Sequence, residues 1–192
     1  MMRLRVKNYC IYRFLNSLFL GLSVGTIFII YEPLKPSVYP IGGIILAFGM
    51  FILASQYKKL MNKRAFFAVL LGVEILTLAL IVVYLILKQS LFSALVIYMC
   101  YQITFLFGNY ILRAETVILK YVKLYAFADM LKQVGYLLGL GLAFICYKMF
   151  ELFTNLDKIS EVYYLHYILI IVQTAVIFRL IISFKIRLKT KR

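Results

Sequence analysis

The sequence predicts an all-α, polytopic membrane protein with six transmembrane helices and both termini in the cytoplasm. Three observations predict it. Of 192 residues, 65% are hydrophobic and 15% charged, with a mean hydropathy of +0.96. Soluble domains run near half apolar and a quarter charged, and disordered chains are poorer still in apolar residues. Six apolar runs each approach or exceed the roughly 20 residues that a helix needs to cross a hydrocarbon core of about 30 Å. Basic residues gather on alternate connections between those runs, as the positive-inside rule requires.

Taken in order, the runs are 14–31, 38–57, 65–87, 91–112, 130–150 and 162–184. They are too long for barrel strands and lack the period-2 alternation of one. The basic opening of the chain followed by an apolar run has the look of a secretory signal. It has no small-residue cleavage site and five further runs follow it, so it reads as a retained first helix. The connection 113–129 is long enough to form its own element. Val117, Ile118, Tyr121, Val122 and Tyr125 share one helical face there, which predicts an amphipathic helix on the cytoplasmic surface. The whole chain, 1–192, reads as a single six-helix bundle.

The net charge of +15 resolves into topology. Eighteen of the 22 basic residues fall in the two terminal segments and in the connections after the second and fourth runs, against only Glu115 and Asp129. Lys35, Lys88, Lys148 and Lys158 on the other side are balanced by Glu32, Glu151, Asp157 and Glu161. The charge therefore describes orientation. Nucleic acid is not an expected partner, because the basic residues sit in separate short loops rather than with aromatics on one folded face. Membrane lipid is, and the basic C-terminal run, Lys185 to Arg192, reads mainly as a solvated stop signal. Composition and short loops suggest a bacterial inner (cytoplasmic) membrane. The first triplet of runs begins inside and the second triplet begins outside, which is the arrangement an inverted 3+3 repeat gives.

Chemistry must then lie in a few intramembrane groups. Small residues four apart, Ser17, Gly21 and Gly25 in the first run and Gly135, Gly139 and Ala143 in the fifth with Gly141 beside them, let helix backbones approach closely. Tyr98, Gln102, Phe105, Asn109 and Arg113 in the fourth run fall within an arc of about 80°. Such a stripe should face a neighbouring helix or a wet cavity rather than lipid. Asn16 and Ser23 mark a similar face of the first run. Glu74 is the only acid at mid-span. It reads either as a proton-coupling carboxylate or as a group hydrogen-bonded to a neighbouring helix, beside Thr77. Arg113 and Glu115 read as an interfacial anchor and its neighbour, or as a gating ion pair. His166, the lone histidine, is expected to be structural. Cys10, Cys100 and Cys146 are scattered, so no metal site, cofactor or disulfide framework is expected. An intramembrane enzyme would need a nucleophile–base pair or a metal cluster, and neither is legible.

The segment Ser55-Gln56-Tyr57-Lys58-Lys59-Leu60-Met61-Asn62-Lys63-Arg64 is similar to the basic loop between the second and third helices of the major facilitator superfamily. Lys63 and Arg64 match its closing basic pair, and Asn62, which tolerates a left-handed conformation, stands for its turn glycine. Lys59 replaces the family's Asp and Ser55 its first Gly, so the Asp's role does not carry over. Gly135, Gly139 and Gly141 resemble a reduced form of the glycine-rich fifth-helix motif, without its proline. With Arg113 in the fourth run, the chain over about 11–185 resembles one six-helix half of such a transporter, most like the N-terminal half. The resemblance implies a half-size secondary transporter that moves a small organic solute by alternating access, with a second copy of itself or another six-helix half as partner. It implies that the first and fourth helices line a cavity, with Asn16, Ser23, Tyr98, Gln102, Phe105 and Asn109 facing the substrate. It also implies that the second and fifth face the other half. The alternative is a non-transporting membrane subunit or scaffold of a larger complex.

Overall fold

The computed structural model describes residues 2–154 and 156–186. The basic residues Arg187, Lys189, Lys191 and Arg192 lie outside the described residues. Seven helices are present among the described residues: α1 (Val6–Tyr31), α2 (Val38–Ser55), a one-turn α3 (Tyr57–Leu60), α4 (Lys63–Leu87), α5 (Leu91–Leu119), α6 (Val122–Phe153) and α7 (Lys158–Ser183). All but α3 are long and apolar enough to cross a membrane.

Local chemistry sets the boundaries. Asn62 precedes α4, and its side chain accepts hydrogen bonds from the backbone N–H groups of Arg64 and Ala65 at 3.1 and 3.0 Å. Its φ of −139° is extended, so it is an N-cap and not the left-handed turn residue expected from the sequence. Ser90 and Ser93 cap α5 reciprocally. Pro40 sits in the first turn of α2, where its missing N–H costs no helical bond. Lys88 and Lys120, with φ of 52° and 60°, end α4 and α5 in conformations that no further helical turn can follow.

The stop at Lys120 corrects the expected cytoplasmic helix over 113–129. That segment is shared between the last turns of α5 and the first turns of α6, with a tight break between them. The apolar face of Val117, Ile118 and Tyr125 continues the two spanning helices. A second departure from expectation is a short antiparallel ribbon. β1 (Met2–Leu4) pairs with β2 (Phe184–Ile186), with Arg3 opposite Lys185. The ribbon brings Met2–Leu4 and Phe184–Ile186 together on one face of the bundle. It also seats Phe184, which is buried, against Tyr9, Phe66 and Phe67.

The bundle is organised around α1, which packs most extensively on α6 and next on α7, and touches α5. α4 packs on α7 and α5, and α2 packs on α5. Glycines explain the closeness of α1 and α6. A Cβ on Gly135 would lie 2.3 Å from the backbone oxygen of Phe14, one on Gly139 2.3 Å from that of Leu18, and one on Gly21 2.4 Å from that of Tyr136. The glycine face of α6 is thus turned onto α1 of the same chain and not outward to a second bundle. Gly141 has nothing among the described residues within 4 Å of its Cβ position. Gly25 faces the flexible ring of Tyr147. On α2 the close approach is at Gly42, which lies beneath Tyr98, whereas Gly43 is open.

Candidate functional site

Tyr9, Tyr12, Arg13 and Asn16 are spaced 3, 1 and 3 along α1 and therefore share one face. That face meets α4, α5 and α7 in the interior of the bundle. Its central partner is Glu74 of α4, only 2% exposed. The Tyr12 hydroxyl donates to Glu74 Oε1 at 2.6 Å, and Asn16 Nδ2 donates to the same oxygen at 2.8 Å. Gln173 Nε2, from α7, donates to Glu74 Oε2 at 2.8 Å and to the Glu74 backbone oxygen at 2.9 Å.

One turn toward the ribbon end lies a second buried carboxylate. Glu115 Oε1 accepts from the Tyr9 hydroxyl at 2.9 Å, and Oε2 lies 3.0 Å from Arg13 Nη2. This last contact is an ion pair set off the hydrogen-bonding axis, since neither Glu115 Oε2 nor Arg13 Nε has a hydrogen-bond partner. Arg13 is 8% exposed and Glu115 2%.

The magnitudes show how Glu74 is tolerated. An acid at the centre of a membrane helix costs about 2.5–3.5 kcal/mol on insertion scales. Interhelical hydrogen bonds in membranes contribute roughly 0.6–2 kcal/mol each. Three such bonds onto one carboxylate offset most or all of that cost. No cation lies within ion-pair distance of Glu74 among the described residues, because Arg13 is engaged by Glu115. Chemically, the site can hold a carboxylate against neutral donors from two other helices and can take up one proton.

Beyond Glu74 the polar face continues into a cavity of about 20 Å³ lined by Ser23, Thr26, Thr77, Tyr101 and His166 among others. That volume accommodates about one water molecule. His166 is buried, stacks on Tyr84 at 4.2 Å, and has Nδ1 2.7 Å from the Val162 backbone oxygen.

The residues expected to line one substrate cavity are distributed differently. Ser23 alone of the six lines this cavity. Asn16 is bound to Glu74. Tyr98 is buried against α2 and donates to the Tyr39 backbone oxygen at 3.0 Å. Gln102 is buried, while Phe105 and Asn109, further along the same stripe, are exposed on the bundle surface. Asn109 Nδ2 donates to its own helix, at Phe105 O, 3.1 Å away. The expected pairing of Arg113 with Glu115 is replaced. Glu115 faces inward to Arg13, and Arg113 is exposed with its guanidinium 5.5 Å from the Tyr57 ring centroid. Two residues apart on a helix, Arg113 and Glu115 point to different faces.

Sequence reasoning missed Tyr9, Tyr12, Arg13 and Gln173. A signal existed for each. The first three continue the Asn16 face by one and two turns, and Gln173 is the only amide in its span.

The class this fold and core define is an all-helical integral membrane protein with a buried, carboxylate-centred polar core. Among the described residues no group of three or more metal-ligating side chains occurs, and the cysteines are free. Comparison with protein-family models, with curated proteins and with solved structures gives no match.

Proposed function

We propose that the chain is a half-size secondary transporter of the major facilitator type, in which two six-helix bundles move a small organic solute by alternating access. The observation that carries this reading is an exchange symmetry in the packing. Swapping α1 with α5, α2 with α6 and α4 with α7 turns the α1–α6 pair into α5–α2 and the α1–α7 pair into α5–α4, and returns α4–α7 and α1–α5 to themselves. Each of these products is again a packed pair, the α1–α6 seam being much the more extensive, whereas the small α5–α6 and α6–α7 contacts have no packed counterpart in α1–α2 and α2–α4. An inverted 3+3 repeat requires the matching pairs. One such bundle supplies one wall of a transport path, so a second is needed. A second copy related by a two-fold axis along the membrane normal supplies it most simply. In this reading the positive-inside bias puts both termini in the cytoplasm and the chain in a bacterial cytoplasmic membrane. Glu74 is the coupling carboxylate in this reading, and Arg113 an interfacial anchor.

The closed bonding of Glu74 within its own bundle favours a second reading, a non-transporting membrane subunit or scaffold. The two separate by experiment. The full chain is placed in lipid nanodiscs for particle mass, and in proteoliposomes with an internal pH dye and a panel of amino acids, sugars and amphipathic amines. Transport predicts two copies per particle and solute-dependent proton movement that Glu74→Gln abolishes. Single copies with no solute-dependent signal, together with full tolerance of Gln102→Ala plus Asn109→Ala in cells, overturn it.

A further inference from the structure

We infer that the cleft between α2, α3 and α5 is a binding site for an anionic phospholipid, with one acyl chain in the cleft and the headgroup phosphate at Lys59. The cleft has a volume of about 490 Å³, within the usual range for ligand sites. Its walls are Ile52 and Leu53 of α2 and Leu106 and Phe107 of α5, and its end is closed by Gln56 and Lys59. It exists because Gly49 has no side chain to fill it. A Cβ there would already come within 3.3 Å of the Leu106 methyls.

The charged end is held rigidly. The Tyr110 hydroxyl donates to the Leu60 backbone oxygen at 2.7 Å, and Arg113 lies over the Tyr57 ring, so α3 is pinned to α5 at two points. Asn62 Nδ2 donates to the Lys59 backbone oxygen at 2.7 Å and fixes the turn from the other side. Lys58, Lys59, Lys63, Arg64 and Arg113 surround this turn. None of them takes part in the ion pairs found among the described residues, which are Arg13–Glu115, Lys132–Asp129 and Lys148–Glu151. The site thus joins an apolar slot on two spanning helices to a braced turn whose basic side chains have no ion-pair partner among the described residues. A zwitterionic lipid matches the slot but not the cluster, and a soluble phosphate matches the cluster but not the slot.

The chain contains no Trp, so Phe107→Trp places a unique fluorophore in the cleft. The full chain carrying it is titrated in detergent with phosphatidylglycerol brominated on its acyl chains, and separately with the matching phosphatidylcholine. Phosphatidylglycerol should quench at a mole fraction at least five-fold lower. Lys59→Gln in the same chain should shrink that preference about five-fold, the effect of one basic side chain at an anionic surface. Lys35→Gln at the opposite end should leave it unchanged. Native mass spectrometry of the chain with Phe107 intact, with and without Lys59→Gln, reads the same retention independently of the reporter's folding. Equal quenching and equal retention of the two lipids, or a preference that Lys59→Gln leaves intact, overturns the assignment.

Discussion

Adding a single methyl group at Gly139 should be among the most damaging small changes in the chain, and the structure provides its own control two residues away. A Cβ at Gly139 would meet the Leu18 backbone oxygen at 2.3 Å and the Gly21 Cα at 3.0 Å. Ordinary contact begins near 3.4 Å, so α1 and α6 must separate by about 1 Å, and the obstacle is backbone that cannot rotate away. At Gly141 nothing lies within 4 Å. Both residues are interior to α6, so the helix-propensity gain of Gly→Ala, about 1 kcal/mol, is common to the two variants and cancels between them. What remains is the overpacking cost, roughly 1–3 kcal/mol, toward the upper end because two helices must move. Gly139→Ala should therefore unfold more readily than Gly141→Ala by about that amount, and Gly141→Ala should be at least as stable as the unchanged chain. The measurement is reversible unfolding by SDS in mixed micelles, followed by circular dichroism. Gly21→Ala meets the same seam from α1, at 2.4 Å from Tyr136 O. Its cost should not add fully to that of Gly139→Ala, because the first substitution has already opened the seam. Equal midpoints for Gly139→Ala and Gly141→Ala would refute the α1–α6 packing.

Other consequences follow from the polar core and the charge distribution. Arg13→Met leaves Glu115 buried without its cation and should destabilise by about 3–5 kcal/mol. Adding Glu115→Gln should recover most of the loss, and a double variant no better than the single one in the same SDS titration would break the assignment of that pair. Gln173→Leu removes the α7 donors from Glu74 and should cost about 1–2 kcal/mol, with Tyr12→Phe similar. If Gln173→Leu is neutral while the unrelated Thr174→Val is not, the Glu74 cluster is not what ties α4 to α7. In a chain stripped of its three native cysteines, Lys63→Cys should react with a membrane-impermeant maleimide only in inverted vesicles and Asp157→Cys only in intact spheroplasts. The reverse pattern would invert the topology.

The number and approximate extent of the spanning helices were legible because hydropathy is a local property and each span carries its own signal. Glu74 and Asn16 stood out for the same reason. The partners did not. Tyr12 and Glu74 are 62 residues apart, Tyr9 and Glu115 are 106 apart, and Gln173 and Glu74 are 99 apart. No periodicity within one helix encodes which neighbour its face will meet. Arg13 and Glu115 were misplaced by the same charge count that predicts the orientation. Counting charges by side assigns both to aqueous segments, whereas α1 and α5 run past the apolar windows and carry the pair into the bundle. The terminal ribbon was invisible because three-residue strands fall below any useful pattern. Asn62 was read through its tolerance of left-handed backbone, when its capping oxygen decides the local structure.

The exposed part of the α5 stripe carries less weight for a second bundle than the sequence suggested. Asn109 lies four residues from Arg113, a rise of about 6 Å, so its amide is close to the headgroup region and its exposure there costs little even against lipid. Phe105 is at home in hydrocarbon. Neither residue demands a partner. The proposal of two bundles rests instead on the correspondence of α1–α6 with α5–α2 and of α1–α7 with α5–α4, in which α1 packs much the more extensively. On the α1 face Tyr12 and Asn16 are bound to Glu74 of α4 and Tyr9 and Arg13 to Glu115 of α5, while Gln102 is a buried amide of α5. In the proposed transporter the Glu74 cluster ties α1, α4 and α7 together, while α5 contributes nothing to that cluster. That division makes the copy number in lipid, rather than any single side chain, the observation on which the transport reading turns.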